Sequence, residues 1–314
     1  MTDNDREPSL ISKYVWLIET IYRAGRISLK GINERWCRDV NMSGGEAIPA
    51  RTFNNWRYAI HDLFGLDIEN ERCGEYRYFI ENEEDISRNG LRSWLYNTLC
   101  VSNALAGSQA IKDRILLEYV PSGQQHLNAI IEAMKANRVI SITHYNYWRD
   151  DERSFDLQPY CVKLFRQRWY VVAKSTDPAY REYAPWVFSL DRIRQLTVKD
   201  ETFTMPNDWD AQDYFDGCFG VIPERDTPKQ LVKLKVTAGQ ANYIRDLRLH
   251  ESQKELERNE DYSIFLYHIR PTFDFVQELL HNGESIEVLE PADLRSQIAG
   301  IVERMHEKYK RTSE

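Results

Sequence analysis

No apolar run in this chain approaches the ~20 residues that a bilayer-spanning helix needs, so no membrane segment is expected. The first residues, Met1-Thr2-Asp3-Asn4-Asp5-Arg6-Glu7, are polar and acidic and lack the build of a secretory signal. A cytoplasmic location is therefore expected. The five cysteines (Cys37, Cys73, Cys100, Cys161, Cys218) lie far apart with no C-x-x-C pair, which argues against a disulfide framework and a zinc site alike. They read as small buried hydrophobes. The seven histidines show neither H-x3-H nor H-E-x-x-H spacing, so no metal and no cofactor is expected. Enzyme signatures are missing too: there is no P-loop, no G-x-S-x-G, no zinc-deaminase H-x-E with P-C-x-x-C, and no convincing carboxylate constellation. Asp150-Asp151-Glu152 reads as a solvated turn. No catalytic residue is assigned, and the chain is expected not to be an enzyme.

What is present is ordinary globular sequence: 314 residues, 42% hydrophobic and 29% charged, enough for two or three domains. The net charge of −8 opposes DNA binding taken whole, so its distribution matters. Between Ser9 and Leu66 the bases Lys13, Arg23, Arg26, Lys30, Arg35, Arg38, Arg51 and Arg57 outnumber the acids Glu19, Glu34, Asp39, Glu46 and Asp62. From Thr202 onward the acids dominate. A nucleic-acid-binding head on an acidic body is compatible with that asymmetry.

Tyr14, Leu17, Ile18, Ile21 and Tyr22 follow the i, i+3, i+4, i+7, i+8 spacing of an amphipathic helix, with Ser9 or Ser12 as cap. Gly25 breaks it, a second helix spans Ser28–Trp36, and Ser43-Gly44-Gly45 turns the chain into a third helix from Pro49. Phe53, Trp56, Ile60 and Phe64 form the buried stripe of that third helix. Its other side carries Arg51, Thr52, Asn54, Asn55, Arg57 and Tyr58, a set suited to DNA: arginine reads guanine, asparagine reads adenine, and threonine or tyrosine holds phosphate. Two short β-patterned runs, Leu66–Glu69 and Tyr76–Ile80, flank Arg72-Cys73-Gly74-Glu75 as a hairpin, placing Arg72 and Arg77 to touch backbone or minor groove. Three helices and a hairpin in this order predict a winged helix-turn-helix; the alternative is a head that packs or docks protein.

Trp94 to Leu105 and Ile111 to Glu118 suggest a helical connector. A helix over Leu127–Met134 follows, then an alternating strand Val139–Tyr147, a charged hairpin Arg149–Arg153, and a strand over Leu157–Lys163. In Arg166-Gln167-Arg168-Trp169-Tyr170-Val171-Val172-Ala173, strand alternation sends Arg166, Arg168 and Tyr170 to one face and Gln167, Trp169 and Val171 to the other. Guanidinium groups beside a phenol suit phosphates and bases; Trp169 is expected in the core. A final strand runs through Phe188-Ser189-Leu190-Asp191-Arg192-Ile193. Past Asp200, the order β-α-β-α-β-α, from Leu231–Val236 to a last helix over about Pro291–Tyr309, predicts a ferredoxin-like α+β unit.

Arg-Trp-Tyr-Val-Val-Ala followed by Leu-Asp-Arg-Ile resembles the signature of the WYL domain, with Val171 in place of the naming leucine. Tyr145 and Pro159-Tyr160 fit the same pattern. That resemblance extends over nearly the whole chain and implies an α+β multidomain protein. Its parts are a winged helix-turn-helix at 1–85, a helical linker at 86–122, a small SH3- or Sm-like β-barrel WYL domain at 123–205, and a carboxy-terminal WYL extension at 206–314. Carried over by position, Tyr145, Arg168, Tyr170 and Arg192 are the ligand candidates, with His144, Lys163 and Arg166 placed nearby by strand geometry. Asp191 is expected to hold Arg192 or a turn.

The resulting expectation is a ligand-responsive bacterial transcription regulator. It binds a double-stranded DNA operator as a homodimer and senses an anionic nucleotide or single-stranded nucleic-acid effector, and the resemblance associates it with phage defence or the DNA-damage response. The alternatives are an enzyme acting on nucleotides and a protein-docking adaptor without DNA binding.

Overall fold

Short polar residues set the helix starts of the amino-terminal part. Ser9 Oγ accepts the Ser12 N–H at 3.1 Å to open α1 (Leu10–Ala24), which stops at Gly25 with φ 65°. Ser28 Oγ accepts the Gly31 N–H at 3.2 Å at the head of α2 (Leu29–Arg38). In the computed structural model, the described residues are 9–71, 76–82, 97–99, 122–180, 182–224 and 226–310, with single positions 101, 114 and 116. The chain divides into two units, residues 1–118 and 119–314.

In the first unit, β1 (Ile27–Ser28) precedes α2, and α3 (Val40–Ser43), α4 (Ala50–Phe64), β2 (Ile68–Asn70) and β3 (Arg77–Ile80) follow it. The strands form an antiparallel sheet in the order β1-β3-β2, with Ile68 opposite Ile80 and Ile27 opposite Tyr78. Leu17, Ile18, Ile21, Ile32, Phe53 and Ile60 are sealed inside. Around them Trp16, Trp36, Trp56 and Tyr14 meet edge to face at 4.8 to 5.9 Å, the arrangement their ring quadrupoles favour. The three expected helices and both hairpin strands are present. β1 is two residues long and too short to show alternation, and α3 occupies the entrance to the expected Ser43 turn. Arg72, the hairpin tip, and most of the connector expected over 86–122 lie outside the described residues.

The second unit begins with α5 (Gln124–Lys135) packed on a five-stranded antiparallel sheet of β4 (Arg138–Asn146), β5 (Asp151–Phe165), β6 (Arg168–Ser175), β7 (Trp186–Ser189) and β8 (Ile193–Thr202), in the order β7-β6-β5-β4-β8. Ile130, Ile140, Ile142, Leu157, Val171, Ala173 and Leu190 form its core, and Trp169 packs against that core as expected. Then come α6 (Ala211–Tyr214), β9 (Gln230–Thr237), α7 (Ala238–Asp246), β10 (Lys254–Arg258), β11 (Tyr262–Ile269), α8 (Phe273–His281), β12 (Ile286–Glu290) and α9 (Ala292–Lys310). The second sheet runs β10-β11-β9-β12, antiparallel throughout. β10 escaped the sequence pattern because Lys254, Glu255, Leu256, Glu257 and Arg258 are all exposed, the charged make-up of a protected edge strand.

The whole is a mixed α+β protein with separate sheets, matching the expected class at that level. Among the described residues no helix is long and apolar enough to cross a membrane.

Candidate functional site

The hairpin between β5 and β6 corrects one expectation. Arg166 and Gln167 do not lie on the strand. They form a two-residue turn with φ 48° and 64°, closed by Phe165 opposite Arg168. Arg166 therefore leaves the face of Arg168 and Tyr170. It forms an ion pair with Glu278 on α8, a carboxylate only 10% exposed, and its guanidinium carbon sits 5.3 Å from the Phe165 ring centroid and 5.9 Å from that of Phe219. Within the second unit, Arg166 ties the first sheet to α8, which packs on the second sheet.

Arg168, Tyr170, Arg192, His144 and Lys163 do share a neighbourhood. The expected final strand breaks at Leu190–Arg192 into a 3-10 turn between β7 and β8, so Asp191 and Arg192 sit on a corner. Asp191 does not hold Arg192. Its carboxylate, 6% exposed, takes the fork of Arg168 instead, with Nε donating to Oδ1 at 3.3 Å and Nη2 to Oδ2 at 2.5 Å. That bond pushes the Arg168 pKa further up. Arg192 Nε donates to Ser189 Oγ at 2.5 Å, and its guanidinium carbon lies 5.1 Å from the Tyr147 ring centroid. Burial raises the Tyr170 phenol, with the charges of Arg168 and Arg192 pulling the other way.

Lys163 is opposite Tyr170 in the β5–β6 ladder. Its Nζ donates to the Gly220 carbonyl at 2.7 Å and rests 3.8 Å from the Phe215 ring centroid, and burial lowers its pKa. Asp274 stands behind it, accepting the Val221 and Ile222 N–H groups at 2.8 and 3.0 Å. Next to it burial pushes the Cys161 thiol up to about 11, which leaves it an inert space-filler. His144 lies with its ring 5.3 Å from that of Phe188. Burial first, then Arg192, lowers its pKa to about 4, and its Nε2 is buried without a hydrogen-bond partner among the described residues.

Tyr145 points to the other face of β4. There Arg194 sits 5.1 Å from its ring centroid, and the Tyr145 and Tyr147 rings meet edge to face at 5.5 Å. Tyr145 also donates to Asp150. The turn between β4 and β5 is held by Asn146 Oδ1, which accepts the Trp148 and Arg149 N–H groups at 2.9 and 3.2 Å. It leaves Tyr147 63% and Trp148 93% exposed. Arginine over tyrosine, twice, makes a stacking surface running outward from the Arg168 corner. Tyr147 and Arg194 were missed although each stands only two residues from a candidate, a spacing that the expected strands would have flagged.

In the first unit, α4 exposes Arg51, Asn54, Asn55 and Tyr58, the last at 74%, while Thr52 is half-buried. Arg77 at the start of β3 is exposed. Arg57 is committed elsewhere. Its Nε donates to the Ile68 carbonyl at 2.7 Å, Nη2 donates to the same oxygen, and the guanidinium carbon lies 5.4 Å from the Tyr78 ring centroid. It fastens β2 and β3 to α4.

Residues 125–198, which contain every member of the Arg168 corner except those contributed from beyond β8, match the family model of the WYL domain. Residues 228–306 match that of the WCX domain. The chain therefore carries a WYL domain and, after it, a WCX domain. A structure of proteasome accessory factor B/C (PafBC) of Arthrobacter aurescens is similar at 16% identity and TM-score 0.35, over 91% of this chain and 45% of that one. This chain thus spans less than half of that protein's length. The crystal structure of a CRISPR Cas-related protein is similar at 12% identity and TM-score 0.40, over 98% of this chain and 88% of that one. No curated protein matches the chain.

Proposed function

We propose that this WYL-domain protein is a ligand-responsive, DNA-binding transcription regulator and not an enzyme. In this reading the first unit is a winged helix-turn-helix, with α4 as the helix that enters the major groove and β2–β3 as the wing. The five-stranded sheet is the small-barrel sensor, and the WCX region, whose strand order β10-β11-β9-β12 fits a ferredoxin-like unit, buttresses it. The protein binds a pseudo-palindromic operator as a homodimer in the cytoplasm.

The observation that carries the reading is a division of cationic groups. Arg51 stands exposed beside Asn54, Asn55 and Tyr58 on one helix of the first unit, while Arg168, Arg192 and Lys163 gather at one corner of the WYL domain. The first set suits base edges and phosphates. The second suits an anionic effector, a nucleotide or a single-stranded nucleic acid whose bases stack on Tyr147 and its neighbours. An effector acts by binding the two protein states unequally.

The test is binding of the full chain to duplex DNA from its own promoter region, against unrelated duplex and across salt concentrations. Saturable, sequence-selective binding that weakens with salt is the expected result. Equal, weak binding to every duplex, with and without short single-stranded oligonucleotides, refutes the reading. Retention of a protein partner by a chain that binds no DNA favours a docking adaptor.

A further inference from the structure

The start of α5 is wedged against the turn that carries Asp191 and Arg192. Gly123, with φ 69°, lies so close that a Cβ there would fall 2.4 Å from both Asp191 N and the Leu190 carbonyl carbon. Only glycine permits that approach and that backbone conformation. On one side of it, the Ser122 carbonyl accepts the Trp169 N–H at 3.3 Å. On the other, His126 Nε2 is 3.1 Å from the Ile193 carbonyl oxygen. Residues 122–126 thus touch backbone on both arms of the anion corner: β6 next to Arg168, and the turn that holds Asp191 and Arg192. In sequence this segment follows directly on the connector from the first unit.

Asp191 has a second tie, the fork of Arg168. An anionic group drawn to Arg168 competes with the Asp191 carboxylate for the same N–H donors. The two anions repel at short range, where little water screens them. A 3-10 turn of three residues has little internal slack, so a carboxylate forced off Arg168 drags its own backbone nitrogen, the atom against which Gly123 is pressed.

We propose that the Arg168–Asp191 pair is the trigger of a relay: an anion that takes Arg168 displaces the Leu190–Arg192 turn, and the Gly123 contact passes the displacement to residues 122–126. This deepens the effector reading and rests on it only for what pulls the trigger; the mechanical link from Asp191 to Gly123 stands apart from it.

Amide hydrogen exchange on the full chain, read by mass spectrometry, tests both parts. Asp191→Ala and Arg168→Gln break the pair from opposite ends, and the second leaves the turn's own side chain in place. In each, exchange over residues 122–126 and at Trp169 should rise on the order of tenfold, while Val232–Val236 in the second sheet holds its wild-type rate. Faster exchange at Asp191–Ile193 with wild-type rates at 122–126 in both variants overturns the relay. Pyrophosphate titrated into the wild type should quicken the same amides. If the variants respond and neither pyrophosphate nor a 5′-phosphorylated oligothymidine does, the relay is upheld and the anionic effector is refuted.

Discussion

If α4 reads DNA as proposed, Arg57 and Arg51 should divide the work, one holding the fold and the other contacting the duplex. Sequence spacing puts Arg57 with Arg51, yet two of its donors converge on the Ile68 carbonyl and its plane covers Tyr78. Charge-assisted bonds to one carbonyl are worth ~1.5–3 kcal/mol, and a partly desolvated cation–π contact adds ~0.5–1 kcal/mol. Glu69, 3.9 Å away and half exposed, adds little. Arg57→Ala should therefore destabilise the first unit by about 2–3 kcal/mol, which for a unit this small lowers its melting temperature by roughly 10–20 °C. Arg51→Ala, on an exposed side chain, should change stability by no more than ~0.5 kcal/mol while weakening operator binding by ~1–3 kcal/mol. Urea unfolding and thermal melts, read beside gel-shift titrations for both variants, decide it. Wild-type melting of Arg57→Ala with selective loss of DNA binding would refute this reasoning and return Arg57 to the DNA surface.

Three further outcomes are expected. The His144 pKa is lowered to about 4, so the folded state disfavours its charge; the stability it confers is present above about pH 6.5 and is lost as pH falls towards 4. Allowing for solvent screening of a half-buried ring, the loss between pH 7 and 5 is ~1 kcal/mol, and His144→Gln should remove that component in urea titrations at the two pH values; identical pH dependence in wild type and variant contradicts it. Arg166→Ala strands the Glu278 carboxylate and should cost ~1–2 kcal/mol in unfolding experiments, with pyrophosphate affinity kept; a loss of affinity without a loss of stability would restore Arg166 to the anion site. Arg192→Ala should weaken pyrophosphate binding about 10- to 100-fold in calorimetry, and unchanged affinity removes Arg192 from the site.

Much of this arrangement was legible because period and punctuation agree. The α1 and α4 stripes, the serine caps and the alternation of β4 and β9 all follow from local rules that the tertiary structure leaves intact. What was not legible has particular causes. Arg166-Gln167 looked like strand because neither residue is a turn former; the left-handed conformation is imposed by the pairing of Phe165 with Arg168 and anchored by Glu278, 112 residues away. Alternation was then extended one hairpin too far. Arg57 and Arg51 are both arginines on a polar face, and only the return of β2 beneath α4 tells them apart. Asp191 next to Arg192 invited a local pairing, but the 3-10 turn aims adjacent side chains apart and delivers the carboxylate to Arg168 on the neighbouring strand.

The corner is unevenly neutralised, and this bears on the kind of effector the proposed function calls for. Arg168 already has a buried carboxylate. Among the described residues neither Arg192 nor Lys163 has a carboxylate within ion-pair distance; they hold a hydroxyl, a carbonyl and two aromatic faces. Carbonyls and rings stabilise a cation without cancelling its charge, so the local field remains positive. Ionic partners at both would have made the corner a structural network. An anion with a single charge can settle at Arg192 and leave Asp191 in place. One with two separated anionic groups can hold Arg192 and also contest Arg168, and so bring the Asp191 turn into play. In the proposed relay, the geometry would therefore discriminate by charge number more than by size and would tie affinity to displacement in one step.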